Sequence, residues 1–89
     1  MEEYIKKVFK ENNEKFILKI IESQCARSTD KNSANKILYV LKKRFSINCE
    51  KETLSKIGKQ FNLSSERIRN LEAKGMKILK NIERLKTYL

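Results

Sequence analysis

Glu66, Arg69 and Asn70 stand three and four residues apart, a spacing that gathers side chains on one face of a helix. Their types match the base edges of a DNA major groove: Glu accepts from the cytosine amino group, Arg donates to guanine and Asn pairs with adenine. The outer positions continue at helical spacing through Ser65, Ala73, Lys74 and Lys77, so the run predicts a reading face. The competing reading is a solvated helix surface stitched by ordinary charge pairs, such as Glu72 with Lys80. Charge weighs against that alternative: 21 Lys and Arg oppose 11 Asp and Glu, and the net charge of +10 on 89 residues sets up a field that attracts a polyanion. Catalytic chemistry finds little support. The chain has no His, and Cys25 and Cys49 are too few and too far apart for a structural zinc site, so no metal and no cofactor is expected. The acids of residues 36–89 stand beside Lys or Arg rather than in pairs, so an acid–base site, and with it an enzyme, is not expected.

Such a face needs a frame, and residues 53–72 have the pattern of a helix-turn-helix. Thr53 can cap a short helix with Leu54, Ile57 and Phe61 inward, and Gly58 leaves room for a second helix to cross closely. Asn62 suits the left-handed backbone of a sharp turn, Leu63 fills the angle, and Ser64 caps the next helix, whose Ile68 and Leu71 point inward. Upstream, Ile37, Leu38, Val40, Leu41 and Phe45 predict a helix that starts near Asn32 or Ser33. Lys42, Lys43 and Arg44 cluster at its C-terminal end, where they either complement the helix dipole or hold phosphates.

The N-terminal stretch carries a further stripe, Tyr4, Ile5, Val8, Phe9, Phe16, Ile17, Ile20 and Ile21. It reads as one helix of about twenty residues or as two short ones meeting at Asn12 and Asn13. Residues 26–35 are small and polar, a connection. With no Pro and two Gly, the expected fold class is all-α, a small helical domain with a C-terminal helix-turn-helix. Two parts are expected: residues 1–35, a helical stripe plus linker packed on the rest, and residues 36–89. Seven basic and six acidic side chains give the first part a net +1, whereas fourteen and five give the second +9, so the polyanion should meet the second. No apolar run reaches the roughly 18 residues of a membrane span, and the N-terminus lacks a signal-peptide pattern.

Ile57-Gly58-Lys59-Gln60-Phe61 followed by Glu66-Arg67-Ile68-Arg69-Asn70-Leu71-Glu72-Ala73-Lys74 resembles region 4.2 of the bacterial sigma-70 family. Val40-Leu41-Lys42-Lys43-Arg44-Phe45-Ser46-Ile47 is similar to its region 4.1, and Arg84-Leu85-Lys86-Thr87-Tyr88-Leu89 resembles the C-terminus of primary sigma factors. The resemblance spans residues 36–89. It implies a domain that reads the minus-35 promoter element and holds the flap of the RNA polymerase beta subunit, in the bacterial cytoplasm or nucleoid. Carried over by position, Glu66, Arg69 and Asn70 read bases, with Ser65 at the leading edge. Lys74 lies at the groove edge with Lys77 further along the same side, and Arg67 with Lys42, Lys43 and Arg44 holds phosphates. Apolar Ile37, Val40 and Leu41 offer the flap contact. This chain departs from the family at Ser65, where Arg is common, at Asn70, where Gln is common, and at Gly75, where Ala is usual. Gly75 is expected to loosen its helix at a cost of about 1 kcal/mol.

Two alternatives stand beside the promoter-reading domain. One is a stand-alone regulator that uses this fold to occupy polymerase or a sigma factor. The other is an interaction module whose stripe over residues 4–21 makes a homodimer or docks an anti-sigma factor or activator; packing of that stripe on the chain's own core is favoured over it.

Overall fold

The computed structural model describes residues 2–25, 33–47 and 49–85, and helix is the only regular structure among them. Asn12 and Asn13 divide the first stripe into α1 (Glu2–Glu11) and α2 (Glu14–Gln24). Asn13 leaves helical backbone at φ −63° and ψ 138°, and its side chain accepts the Lys15 N–H at 2.7 Å, the arrangement of an N-cap. Asn12 serves the other helix, its Nδ2 donating to the Val8 carbonyl at 2.9 Å. One Asn therefore closes α1 and the next opens α2.

α3 (Ser33–Arg44) starts at one of the two expected positions; Asn32 and the rest of 26–32 lie outside the described residues. Its end turns on Ser46, whose φ of 55° lets the Ile47 N–H reach back to the Lys42 carbonyl at 2.9 Å. This is the bond pattern of a Schellman ending. The Cys49 thiol lies 3.4 Å from the same carbonyl. α4 (Leu54–Phe61), α5 (Ser65–Lys80) and the short α6 (Ile82–Leu85) follow.

α3 lies against α5, with α2 and α4 flanking that pair and α1 reaching α5 from the other end. One core results. It joins Ile5 and Val8 of α1, Ile17, Ile20 and Ile21 of α2, Ile37, Val40 and Leu41 of α3, Ile57 of α4, and Ile68, Leu71 and Leu79 of α5. Each such side chain contributes about 1.5–3 kcal/mol on full burial.

Most of the stripe over residues 4–21 packs in the chain's own core, the arrangement favoured over a homodimer face, with Phe9 and Phe16 partly buried against it. Its outlying member, Tyr4, is 37% exposed and sets its hydroxyl 3.2 Å from the carbonyls of Leu79 and Lys80, at the end of α5. Ile37, Val40 and Leu41, expected to offer a partner contact, are each 0% exposed. The reason is geometric: α3 is covered by α2 on one side and by α5 on the other, which leaves these positions no route to solvent.

Candidate nucleic-acid interface

The turn between α4 and α5 is built by local chemistry. The Thr53 hydroxyl accepts the Lys56 N–H at 3.1 Å, and the Ser64 hydroxyl accepts the Arg67 N–H at 3.1 Å, so both helices open on a side-chain cap. Asn62 closes α4 in the left-handed region at φ 59° and ψ 41°, and the Leu63 N–H bonds the Gly58 carbonyl at 2.8 Å. Gly58 is small for a reason other than helix crossing. A Cβ there would sit 2.5 Å from the Leu63 carbonyl oxygen, within the backbone of the turn itself.

Ile68, Leu71, Gly75 and Leu79 fix one face of α5 in the core. The opposite face carries Glu66, Arg69, Asn70, Ala73 and Lys77, all exposed, within about 100° of arc. Arg67 and Lys74 flank that stripe on one side and Ser65 on the other, and these are exposed too. Among the described residues, no hydrogen bond or ion pair engages the side chains of Glu66, Arg69 or Asn70. The charge around them is strongly positive, since residues 54–80 hold seven Lys and Arg against two Glu. One of those, Glu72, turns inward: its carboxylate lies 3.4 Å from Arg44 Nε rather than on Lys80, so the outward surface loses half of its acidic charge.

The Lys42–Arg44 cluster does not survive as a cluster. Successive helix positions diverge by about 100°, so three neighbours in sequence point three ways. Lys42 pairs with Glu14 of α2 at 3.0 Å, Lys43 lies 5.5 Å from the Tyr39 ring centroid, and Arg44 also donates to the Glu52 carbonyl at 3.1 Å. Arg44 thus ties α3, the segment before α4 and α5 together. It is a tertiary clamp rather than an exposed phosphate holder.

A second surface escaped the sequence pattern. Tyr39 and Phe61 meet edge to face, 5.1 Å between centroids at 83°, and the Tyr39 hydroxyl donates to Gln60 Oε1. Gln60 in turn donates to Glu52 at 3.0 Å. With Asn35 and Lys36, the two rings line an open groove of about 420 Å³. Tyr39 and Phe61 are 22 positions apart, and no periodicity within α3 or α4 announces that they touch.

The profile of the family described as Sigma-70, region 4 matches residues 39–81, from within α3 to just beyond α5. The chain carries a sigma-70 region 4 domain. Region 4 is a DNA-binding helix-turn-helix of sigma factors and related regulators, and such domains bind DNA and RNA polymerase. No match is found among curated proteins or among solved structures. α1 and α2 lie outside the matched residues, although they complete the core of the region 4 domain. Among the described residues, no helix is long and apolar enough to cross a membrane.

Proposed function

We propose that α5 enters the major groove of promoter DNA at a minus-35 element, with Glu66, Arg69 and Asn70 facing the bases and Ser65 at the leading edge. One observation carries this reading: three side chains of base-discriminating type stand exposed, with no partner among the described residues, on the face of α5 opposite Ile68 and Leu71. Arg67, Lys74 and Lys77, beside or beyond that face, hold phosphates. Arg44 and Lys42 act indirectly, by fixing α3 against α5 and α2.

Binding to duplex DNA should therefore be steeply salt-dependent. Neutralising about three phosphates gives a slope of about −2.7 in log affinity against log salt, so affinity should fall roughly 40-fold between about 50 and 200 mM salt. Fluorescence anisotropy with a labelled duplex measures this slope. A flat response would remove DNA binding as the main role.

The polymerase contact is proposed for the groove of Tyr39 and Phe61, because Ile37, Val40 and Leu41 are buried beside it. Core polymerase, or its beta flap peptide, should retain the wild-type protein, and Tyr39→Lys should release it while the helical circular dichroism signal persists. The groove also favours a second reading, a regulator that occupies polymerase or a sigma factor, as do the shorter side chains at Ser65 and Asn70. Capture by a sigma or anti-sigma factor, with the flap ignored by folded protein, would select that reading.

A further inference from the structure

We infer that the C-terminal end of α2, which lies outside the residues that match the family, completes a seat for one DNA backbone phosphate on the flank of α5; the inference rests on the DNA-binding reading above. Gln24, the last residue of α2, lines a groove of about 250 Å³ whose other walls are Lys74, Lys77, Ile78 and Asn81. Among the described residues, the lining therefore contributes two ammonium groups and two amides, and no carboxylate. Among the described residues, the side chains of Gln24, Lys74 and Lys77 make no hydrogen bond or ion pair. Ile78, 8% exposed, adds an apolar wall that holds water back and strengthens charge contacts in the groove.

Two helix C-termini converge here, and bare carbonyls would repel an anion. They are taken up. The Ser23 hydroxyl donates to the Ile20 carbonyl at 2.7 Å, and the Cys25 N–H serves the carbonyls of Ile21 at 3.0 Å and Glu22 at 3.1 Å. On α5, Asn81 Nδ2 donates to the Lys77 carbonyl at 3.1 Å, and its backbone N–H bonds the Ile78 carbonyl at 3.1 Å. Tyr4 covers the carbonyls of Leu79 and Lys80. What remains for a ligand includes the two Lys ammonium groups and the Gln24 amide.

Position along the helix agrees. Lys74 and Lys77 lie about 12 and 16 Å along the axis from Glu66, and the major groove is about 12 Å wide. A helix with Glu66 over bases therefore brings this groove to the sugar–phosphate rim. Its volume is below the roughly 300 Å³ at which pockets begin to hold drug-sized ligands. A single compact anion suits it better than a peptide segment.

The test compares Gln24→Lys and Gln24→Glu with Glu3→Gln, a control on α1 that raises net charge by the same amount as Gln24→Lys. In duplex titrations over a range of salt, Gln24→Lys should tighten binding about fivefold and steepen the slope by about 0.9. Gln24→Glu should weaken binding about fivefold to tenfold, and neither variant should change the sequence selected from a random pool. Glu3→Gln should match wild type. If wild type binds selectively and the Gln24 variants follow the control, the phosphate seat is wrong and the base-reading helix stands. If wild type binds no duplex, both fall. If a polyglutamate peptide binds in a Gln24-dependent way while DNA binding ignores Gln24, the occupant is an acidic protein and the inference is overturned.

Discussion

Gly75→Val is expected to leave the protein largely unfolded at room temperature. A Cβ at position 75 would lie 2.7 Å from Ile37 Cγ2, 2.7 Å from Leu41 Cδ1 and 3.0 Å from Leu41 Cγ, where α3 crosses α5. Ile37 and Leu41 are wholly buried, and the branched γ-carbon of Ile37 cannot rotate away without moving α3. Overpacking of this kind costs about 1–3 kcal/mol for a small addition. Valine adds two further methyl groups at the same point, and the sum approaches a total stability of about 5 kcal/mol for a domain of this size. Gly75→Ala is the finer probe, because Ala should gain about 1 kcal/mol from helix propensity and lose more to the contact. A net loss of about 1 kcal/mol lowers the melting temperature by roughly 4–8 °C. Thermal denaturation followed by circular dichroism decides. An Ala variant that melts higher than wild type would mean that α3 and α5 do not approach this closely.

Gly75 also marks where sequence reasoning stops. Read along one helix, a glycine in its interior is only a loss of propensity; read in three dimensions, it is the point where a second helix needs space. Thr53, Asn62 and Ser64 were legible because a cap is made within three residues of itself, and each performs as its type predicts. Ile68 and Leu71 were legible because helical period fixes which positions share a face. Arg44 was not, since its partners Glu72 and Glu52 belong to other elements and only the fold decides which of three successive cations meets them. The same holds for Ile37, Val40 and Leu41, whose apolar character is equally suited to a partner's surface or to the core. Local rules thus yielded the helix-turn-helix and its outward face. The clamp behind that face, and the Tyr39–Phe61 groove beside it, depend on contacts between elements.

Arg69→Ala should abolish preference at one base pair without unfolding the domain. The side chain is exposed and has no partner among the described residues, so its removal leaves the core of Ile68 and Leu71 untouched and the helical signal unchanged. A good bidentate base contact contributes about 1–3 kcal/mol of discrimination, roughly 5-fold to 150-fold between right and wrong base. Arg67→Ala should behave differently, since Arg67 lies at the flank of the reading stripe and a lost phosphate contact lowers affinity for all sequences together. Asn70 separates reading from mere holding most sharply. Asn70→Gln keeps the amide but extends its reach by one methylene, and with Glu66 about 6 Å back along the same face it should shift the selected sequence toward the usual minus-35 element. Selection from a random duplex pool, carried out at one salt concentration on wild type, these three variants, Glu66→Ala and Asn70→Ala, measures all of these outcomes. Should wild type enrich no motif, or should alanine at Glu66, Arg69 and Asn70 leave the motif unchanged, α5 is not a base reader, and the exposed cations of the region 4 domain would then serve only to hold DNA by its phosphates.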